Sequence, residues 1–571
     1  MSRYFFSCDE SALDEFLISA VSQYIPVPAY PPIYRRRARG APEVTTTTPA
    51  MRVDFGRQIY QVAGTIAGLF TTVLVEMQAP AEVGGPLYVG SQGFLMGPSS
   101  PELYNVKFVP RLQSLVLSKS ALDSVTVGGM VALSGSYMVL DNFDNSLSWL
   151  VERQPYLYRK IRVWGITANP RMPWLARTDT AQLIFTGTVI GITSAGTSVQ
   201  LSIGDALVAL DQELMLTKYD GATNNGGTSL KDQPLPVALG RVSNISPVYL
   251  GQQQLDGINT LPTYQVNWSS VYDIPAVRVR GVPMAKISSG VPAVGQYRPW
   301  LASGKFQVGS TPSGAVTCDV YGHDGGTYGF QTSMAGILRK LIVDVAGVST
   351  ASCPDTAWDD VLQIGGDAGI YIGPSTTRLL DALNLFCTGA QVTVHGRRDG
   401  TIAGSLLDTD NTSSFSLIAS DAAVIQEEPL PSSLLPRPDT FELIYQPNYT
   451  IQTDKADTVT DDMRTYMGLN GRKLTLTATY ATNVAKKRKL SFNSPLWDAT
   501  AATNRVSQIK AWMESEPRIY RVVTDVYLGQ VEIGMTCTLT YGLLGAVGRD
   551  MQVVEFSEDL IKRQLTLLLV G

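Results

Sequence analysis

The stretch from Ala181 to Asp205 constrains the fold most. Ala181-Gln182-Leu183-Ile184-Phe185-Thr186-Gly187-Thr188-Val189-Ile190-Gly191-Ile192 is rich in β-branched and aromatic residues. A turn at Ala195-Gly196 separates it from Ser198-Val199-Gln200-Leu201-Ser202-Ile203-Gly204-Asp205, which alternates with a period of two. Side chains of period two line the faces of a strand, and a glycine between two such runs reverses the chain, so the segment predicts a β-hairpin. The same chemistry recurs at Val73–Met77, Ser114–Leu117, Gly135–Leu140, Arg159–Trp164, Thr263–Val266 and Ala276–Arg280. It returns at Gln391–Leu407, with Asp399-Gly400 at the turn, then at Glu442–Tyr445, Lys473–Thr477, and about 518–528, 551–557 and 564–570. A mainly β chain follows.

Helical spacing is confined to a few places. Leu147 and Leu150 share a face within Asn145–Val151, with Trp149 beside them, and Ala206–Leu210 predicts a short turn of helix. Met334–Val345 and Arg378–Leu385 predict helices inside a small α/β insertion, and 501–516 predicts one helix with Val506, Ile509 and Met513 on a stripe. Near the N-terminus, Leu13, Phe16, Leu17 and Val21 mark a short helix. Pro26, Pro28, Pro31 and Pro32, a basic run Arg35–Arg39 and Thr45–Thr48 follow, which predicts an extended arm or a disordered tail. A chain of 571 residues holds about three to four domains. We expect a helix and arm over 1–65, a first β region over 66–325, the α/β insertion over 326–390 and a second β region over 391–571.

Charge is sparse, at 17% of residues, and the net charge is −5. A general nucleic-acid binder needs a basic excess, so that class is disfavoured, although transit of DNA through a passage is not. The five cysteines at 8, 318, 353, 387 and 537 form no CxxC pair, which predicts buried free thiols rather than a metal cluster. The N-terminus has no signal-peptide pattern, and Val62–Val75 is too short and too broken to span a bilayer. We expect synthesis in the cytoplasm of a host cell.

Catalytic patterns are weak. A Ser/His/Asp or Cys/His triad must use His323 or His395, and neither accompanies a nucleophile elbow, so both are expected in turns or at the surface. The acid pairs Asp359-Asp360, Glu427-Glu428 and Asp461-Asp462 are adjacent in sequence, which does not place two carboxyls across a cleft. Gly365-Gly366-Asp367-Ala368-Gly369 matches no phosphate-binding loop, and Lys486-Lys487-Arg488-Lys489 predicts a solvated loop. We assign no catalytic, cofactor or metal residue and expect no enzyme activity.

Four phrases stand in fixed order: Gln92-Gly93-Phe94 to Phe108-Val109-Pro110-Arg111-Leu112; Leu140-Asp141-Asn142-Phe143-Asp144 to Trp149-Leu150; Ile184-Phe185-Thr186-Gly187-Thr188-Val189 onward to Asp205; and Leu230-Lys231-Asp232-Gln233-Pro234-Leu235-Pro236 to Gly240. Together they resemble the central baseplate-hub proteins of long-tailed bacteriophage (siphophage) tail tips. Tyr445–Gln452, Leu528–Gly534 and the closing Leu567–Gly571 agree more loosely, and Asp232 stands where that family usually has glycine. The resemblance implies tandem β-barrel domains in a closed ring, commonly a trimer. Its implied partners are other copies of the chain, a distal tail protein, a tape measure protein and tail fibre or tip proteins, with phage DNA only in transit. The implied role is structural: closing the tail tube in the virion, anchoring fibres or receptor-binding proteins, and opening for genome ejection. Two other classes compete. A receptor- or carbohydrate-binding adhesin would use aromatics such as Trp164, Trp174 and Trp300, and a tail-borne cell-wall hydrolase is disfavoured by the scarcity of histidine.

Overall fold

The computed structural model describes residues 72–571 apart from 98–101, 122–128, 134, 167–180, 216, 223–225, 376, 388–389, 407–412, 432–434 and 483–485. The N-terminal helix and arm, the Arg35–Arg39 run, Cys8 and Trp174 lie outside the described residues.

The fold is mainly β with a small α/β part. Among the described residues the largest sheet has 15 strands. Its main path starts at Ala422–Glu428 and passes through Ile519–Thr524, Gln564–Val570, Ala546–Asp559 and Leu112–Ser120. It continues through Tyr137–Asp141, Ser198–Gly204, Ala181–Ala195, Lys160–Ile166 and Thr72–Met77, and ends at Phe94–Leu95 by way of Leu87–Gly90 and Lys107–Pro110. The path is open at both ends, so these pairings close no barrel.

The expected hairpin is present as Ala181–Ala195 and Ser198–Gly204, turned at Gly196 with φ 66°. A register shift at Ser202/Ile203 bends it. Its inward face (Ile184, Phe185, Val189, Val199, Leu201) joins the core of the large sheet, and Leu147 and Leu150 cover that core from the helix Ser148–Arg153 and its cap. Strands from the two ends of the sequence meet here: Leu112–Ser120 pairs antiparallel with Ala546–Asp559. The first and second β regions drawn from chain order thus contribute to one sheet. Chain order also hid the strand Thr536–Tyr541, which pairs with both Ala546–Asp559 and Phe415–Ile418.

The α/β part has its own core. The helix Met334–Lys340 continues as a π turn over Leu341–Val345. With the helices Asp359–Leu362 and Leu379–Cys387 it packs on the hairpin Val392–Gly396/Ile402–Leu406, whose other neighbour is Gly129–Val131. Two five-stranded sheets built mainly from 237–321 share a third core around Val242, Tyr264, Tyr297 and Phe306. Near the C-terminus the helix Ala499–Glu514 lays Val506, Ile509 and Met513, the stripe expected from the sequence, on the three-stranded sheet of Thr440–Tyr445, Arg472–Thr477 and Lys489–Asn493.

The departure at Asp232 has a backbone meaning. Its φ is 65°, in the left-handed region where glycine is at home and where aspartate is among the better tolerated side chains. Here the chain turns back, with the Asp232 N–H donating to the Tyr219 carbonyl at 3.0 Å.

Candidate functional site

The most concentrated chemistry lies where the α/β hairpin enters the large sheet. Its turn is built locally. Gly400 takes φ 88°, its N–H donates to the Arg397 carbonyl at 3.0 Å, and Asp399 accepts from the Thr401 N–H and hydroxyl at 2.8 and 2.7 Å. This tight turn points Arg398 inward. The guanidinium donates to Glu558 at 2.5 Å and to the Val531 carbonyl at 2.8 Å, and lies 4.8 Å from the Phe556 ring centroid. The Arg398 N–H donates to Glu532 at 2.8 Å, and its carbonyl accepts from the Thr186 N–H at 2.6 Å. Glu558 is 0% exposed, and its second oxygen accepts from the Gly529 N–H at 3.0 Å.

A second buried pair adjoins the first. Lys119 lies 2.8 Å from Asp205 and also donates to the Gly396 carbonyl. Asp205 caps the short turn Ala206–Leu210 through the Leu207 N–H at 3.1 Å. A β-carbon on Gly396 would come within 2.8 Å of the Asp205 carboxyl carbon, so the close approach requires glycine. Charges this deep cost several kcal/mol each to dehydrate and persist because each is paired and hydrogen-bonded.

His395 sits on the strand Val392–Gly396 between these pairs and is 3% exposed. Burial, reinforced by the nearby positive charges of Lys119 and Arg397, holds its imidazole down to about 3. Burial also pushes the Glu532 carboxyl up, opposed by Arg398. His323 is buried too: its Nδ1 is 3.0 Å from the Ser270 carbonyl and its ring packs 4.5 Å from Trp268. His395 is therefore neither in a turn nor at the surface, whereas His323 stays in a loop, as expected, but is turned inward. The strand face carrying His395 turns into the core, and the loop carrying His323 is clasped by the buried Lys340–Asp344 pair, whose carboxylate accepts from the Thr327 N–H.

The remaining candidates fall into structural contacts. Glu427 and Glu428 face Arg518 and Arg521, Asp462 pairs with Arg472, and Asp359 and Asp360 open a short helix. Gly365 and Gly366 turn the chain so that Asp367 meets Arg241 at 2.9 Å. Lys486, Lys487 and Lys489 are exposed, as expected of a solvated run, while Lys487 donates to the Ala481 carbonyl, Arg488 to the Pro436 carbonyl, and Lys489 to Glu442. Trp164 is buried, and Trp300 stacks under Arg298 with its indole N–H on Gln307. The four cysteines among the described residues are buried free thiols, as expected. No group of three metal-ligating side chains is assembled among the described residues, and no helix there is long and apolar enough to cross a membrane.

The knot draws on segments that resemble the phage phrases. Thr186 and Asp205 come from the third phrase, and Gly529, Val531 and Glu532 from the Leu528–Gly534 phrase. The partner at the centre, Arg398, was read from the sequence only as part of a turn. A doubled arginine at a two-sided hairpin was the one local signal available.

No family model and no curated protein matches the chain. Solved structures to which it is similar include phage and prophage tail proteins. The 43 kDa tail protein of prophage MuSo2 from Shewanella oneidensis is 10% identical, with TM-score 0.36 over 87% of this chain and 98% of that one. The prophage tail protein gp18 from Listeria monocytogenes EGD-e is 9% identical, with TM-score 0.35 over 88% and 94%. A chain of the virion of a native gene transfer agent particle is 11% identical, with TM-score 0.40 over 60% and 84%.

Proposed function

We propose that this protein is a structural virion component, the central hub of a long-tailed bacteriophage tail tip. Copies form a ring that closes the tail tube, anchors fibres or receptor-binding proteins and opens for genome ejection. The reading needs no catalysis. Its partners are further copies of itself, a distal tail protein, a tape measure protein and tail fibre or tip proteins, with DNA only in transit.

The observation that carries the reading is the convergence of phrases far apart in sequence. The third of the four phrases, at Thr186 and Asp205, and the more loosely matching Leu528–Gly534 segment, at Glu532, meet at one buried knot. The open ladder adds support for assembly. An edge strand presents unpaired backbone groups, and ring subunits use such edges against their neighbours. The charge-free tip Tyr541–Gly548 of the hairpin Thr536–Tyr541/Ala546–Asp559 exposes Leu543 and Val547, at 85% and 70%.

The test is a cryo-EM reconstruction of the tail tip of the parent particle, with symmetry determined rather than imposed. A ring of this chain on the tube axis is the expected result. Its location on peripheral fibres, or its absence from the particle, overturns the reading.

A further inference from the structure

The seam between the α/β hairpin and the large sheet is not filled. A cleft of about 660 Å³ opens beside the knot, lined by Asp360, His395, Arg397, Ser405, Glu532 and Thr536, with Asp399, Ser414 and Gln530 completing the polar wall. Two buried polar atoms on this lining have no partner: Nδ1 of His395 and the hydroxyl of Thr536, which is 2% exposed. Buried polar groups are nearly always hydrogen-bonded, so an orphan on each side of the seam, one on the hairpin strand and one on the large sheet, needs an explanation.

The donor and acceptor inventory selects the ligand class. Asp360, Asp399 and Glu532 offer carboxylate acceptors, Arg397 offers donors only, and Ser405, Ser414, Thr536 and Gln530 do both. A phosphate or sulfate presents acceptors alone and would face three carboxylates against one guanidinium. A quaternary ammonium presents no acceptor for Arg397, and the lining has no Trp, Tyr or Phe ring to stack on it. A neutral ring bearing several hydroxyls meets both needs, because each hydroxyl donates to a carboxylate and accepts from arginine or serine. The volume lies within the range of about 300–1,000 Å³ usual for small-molecule sites.

We propose that this cleft binds a neutral saccharide of one or two rings. Arg397 and Asp360 hold ring hydroxyls at the mouth, and Ser405 and Thr536 take the deeper ones. Such a site is independent of the hub reading, since a ring assembles with or without it.

Saturation-transfer NMR on the full chain tests this. The probes are glucose, galactose, rhamnose, N-acetylglucosamine, N-acetylgalactosamine and their β-linked disaccharides, with inorganic phosphate and tetramethylammonium as counter-probes. The expected result is transfer to at least one sugar and none to the counter-probes, with affinity falling at least tenfold in Arg397→Met and in Asp360→Asn. Gln530 is exposed on the rim, so Gln530→Trp closes the mouth without disturbing the core and must also abolish the signal. Trp300→Ala, remote in sequence and not part of this lining, must leave it unchanged. The proposal is overturned if no sugar shows transfer, if sugar transfer persists in Gln530→Trp, if Trp300→Ala removes it, or if phosphate or tetramethylammonium binds in an Arg397-dependent way.

Discussion

Replacing Arg398 by methionine should loosen the joint between the α/β hairpin and the large sheet. The substitution keeps the aliphatic stem over Phe556 but removes the donors to Glu558 and the Val531 carbonyl. Glu558, wholly buried, would retain only the Gly529 N–H. Breaking a buried pair by removing one partner costs about 3–5 kcal/mol, mostly as the penalty of a stranded charge. The loss is local to this joint, so the readout is native-state hydrogen exchange at the amides of 392–406. Since 1.4 kcal/mol is tenfold in an opening constant, exchange there should quicken by roughly 10²- to 4×10³-fold, with the sheet of Thr440–Tyr445 unaffected. Glu558→Gln should cost a comparable amount. The double variant Arg398→Met/Glu558→Gln should fall short of the sum by about 2–3 kcal/mol, because neither charge is then left alone. Single losses below about 1 kcal/mol, or losses that add within about 0.5 kcal/mol, would refute the knot as a joint.

Acid should weaken the same region through His395. Its folded-state value of about 3 lies below the ordinary 6.5, so between these pH values the unfolded chain takes a proton that the folded chain refuses. Stability from this group is complete above pH 6.5 and falls toward pH 3, by about 1.4 kcal/mol per unit at most. The measurement compares urea midpoints of wild type and His395→Gln across that window, and a parallel acid dependence in both would refute the assignment. Asp232→Gly should leave stability within about 0.5 kcal/mol, because relief of the left-handed backbone offsets added freedom in the unfolded chain, while Asp232→Val should lose about 1–2 kcal/mol by thermal denaturation. Gly240 has φ 70°, and a β-carbon there would sit 2.1 Å from the Ala368 carbonyl oxygen, so Gly240→Ala should lose more than about 2 kcal/mol in the same assay. Leu543→Ser with Val547→Ser should change the melting temperature by less than a degree or two, since both side chains are exposed, yet reduce incorporation into tail tips. Normal incorporation would remove that hairpin tip from the assembly surface.

Much of the local structure was legible because it is written in local chemistry. The Ala195-Gly196 turn announced its hairpin, the spacing of Val506, Ile509 and Met513 announced a helix, and Asp399-Gly400 announced the turn that aims Arg398. Which strands pair is a different matter. Nothing near Ser120 signals that its hydroxyl donates to Glu555 at 2.7 Å across more than 400 residues of chain. The knot was illegible for the same reason. Lys119, Asp205, Arg398 and Glu558 each look like ordinary surface charges in their own segments. The histidines misled because a glycine-rich or charged neighbourhood suggests exposure, whereas the strand pairing of His395 with Ala403 and Val131 buries it.

The pairing of Leu112–Ser120 with Ala546–Asp559 also sets a timetable for biogenesis. A ribosome delivers the early strand hundreds of residues before its neighbour, some tens of seconds at bacterial rates of about 5–20 residues per second. Until then an apolar strand carrying Leu115 and Leu117 waits with one side unpaired. Nascent chains crowded on one message carry the same vacancy, and their nearest substitutes are each other's early strands. Expression at low temperature with a holdase present should therefore raise the yield of soluble protein more than any substitution on the finished surface. A chain interrupted before residue 546 should be found with chaperones or in inclusion bodies rather than as a smaller folded protein.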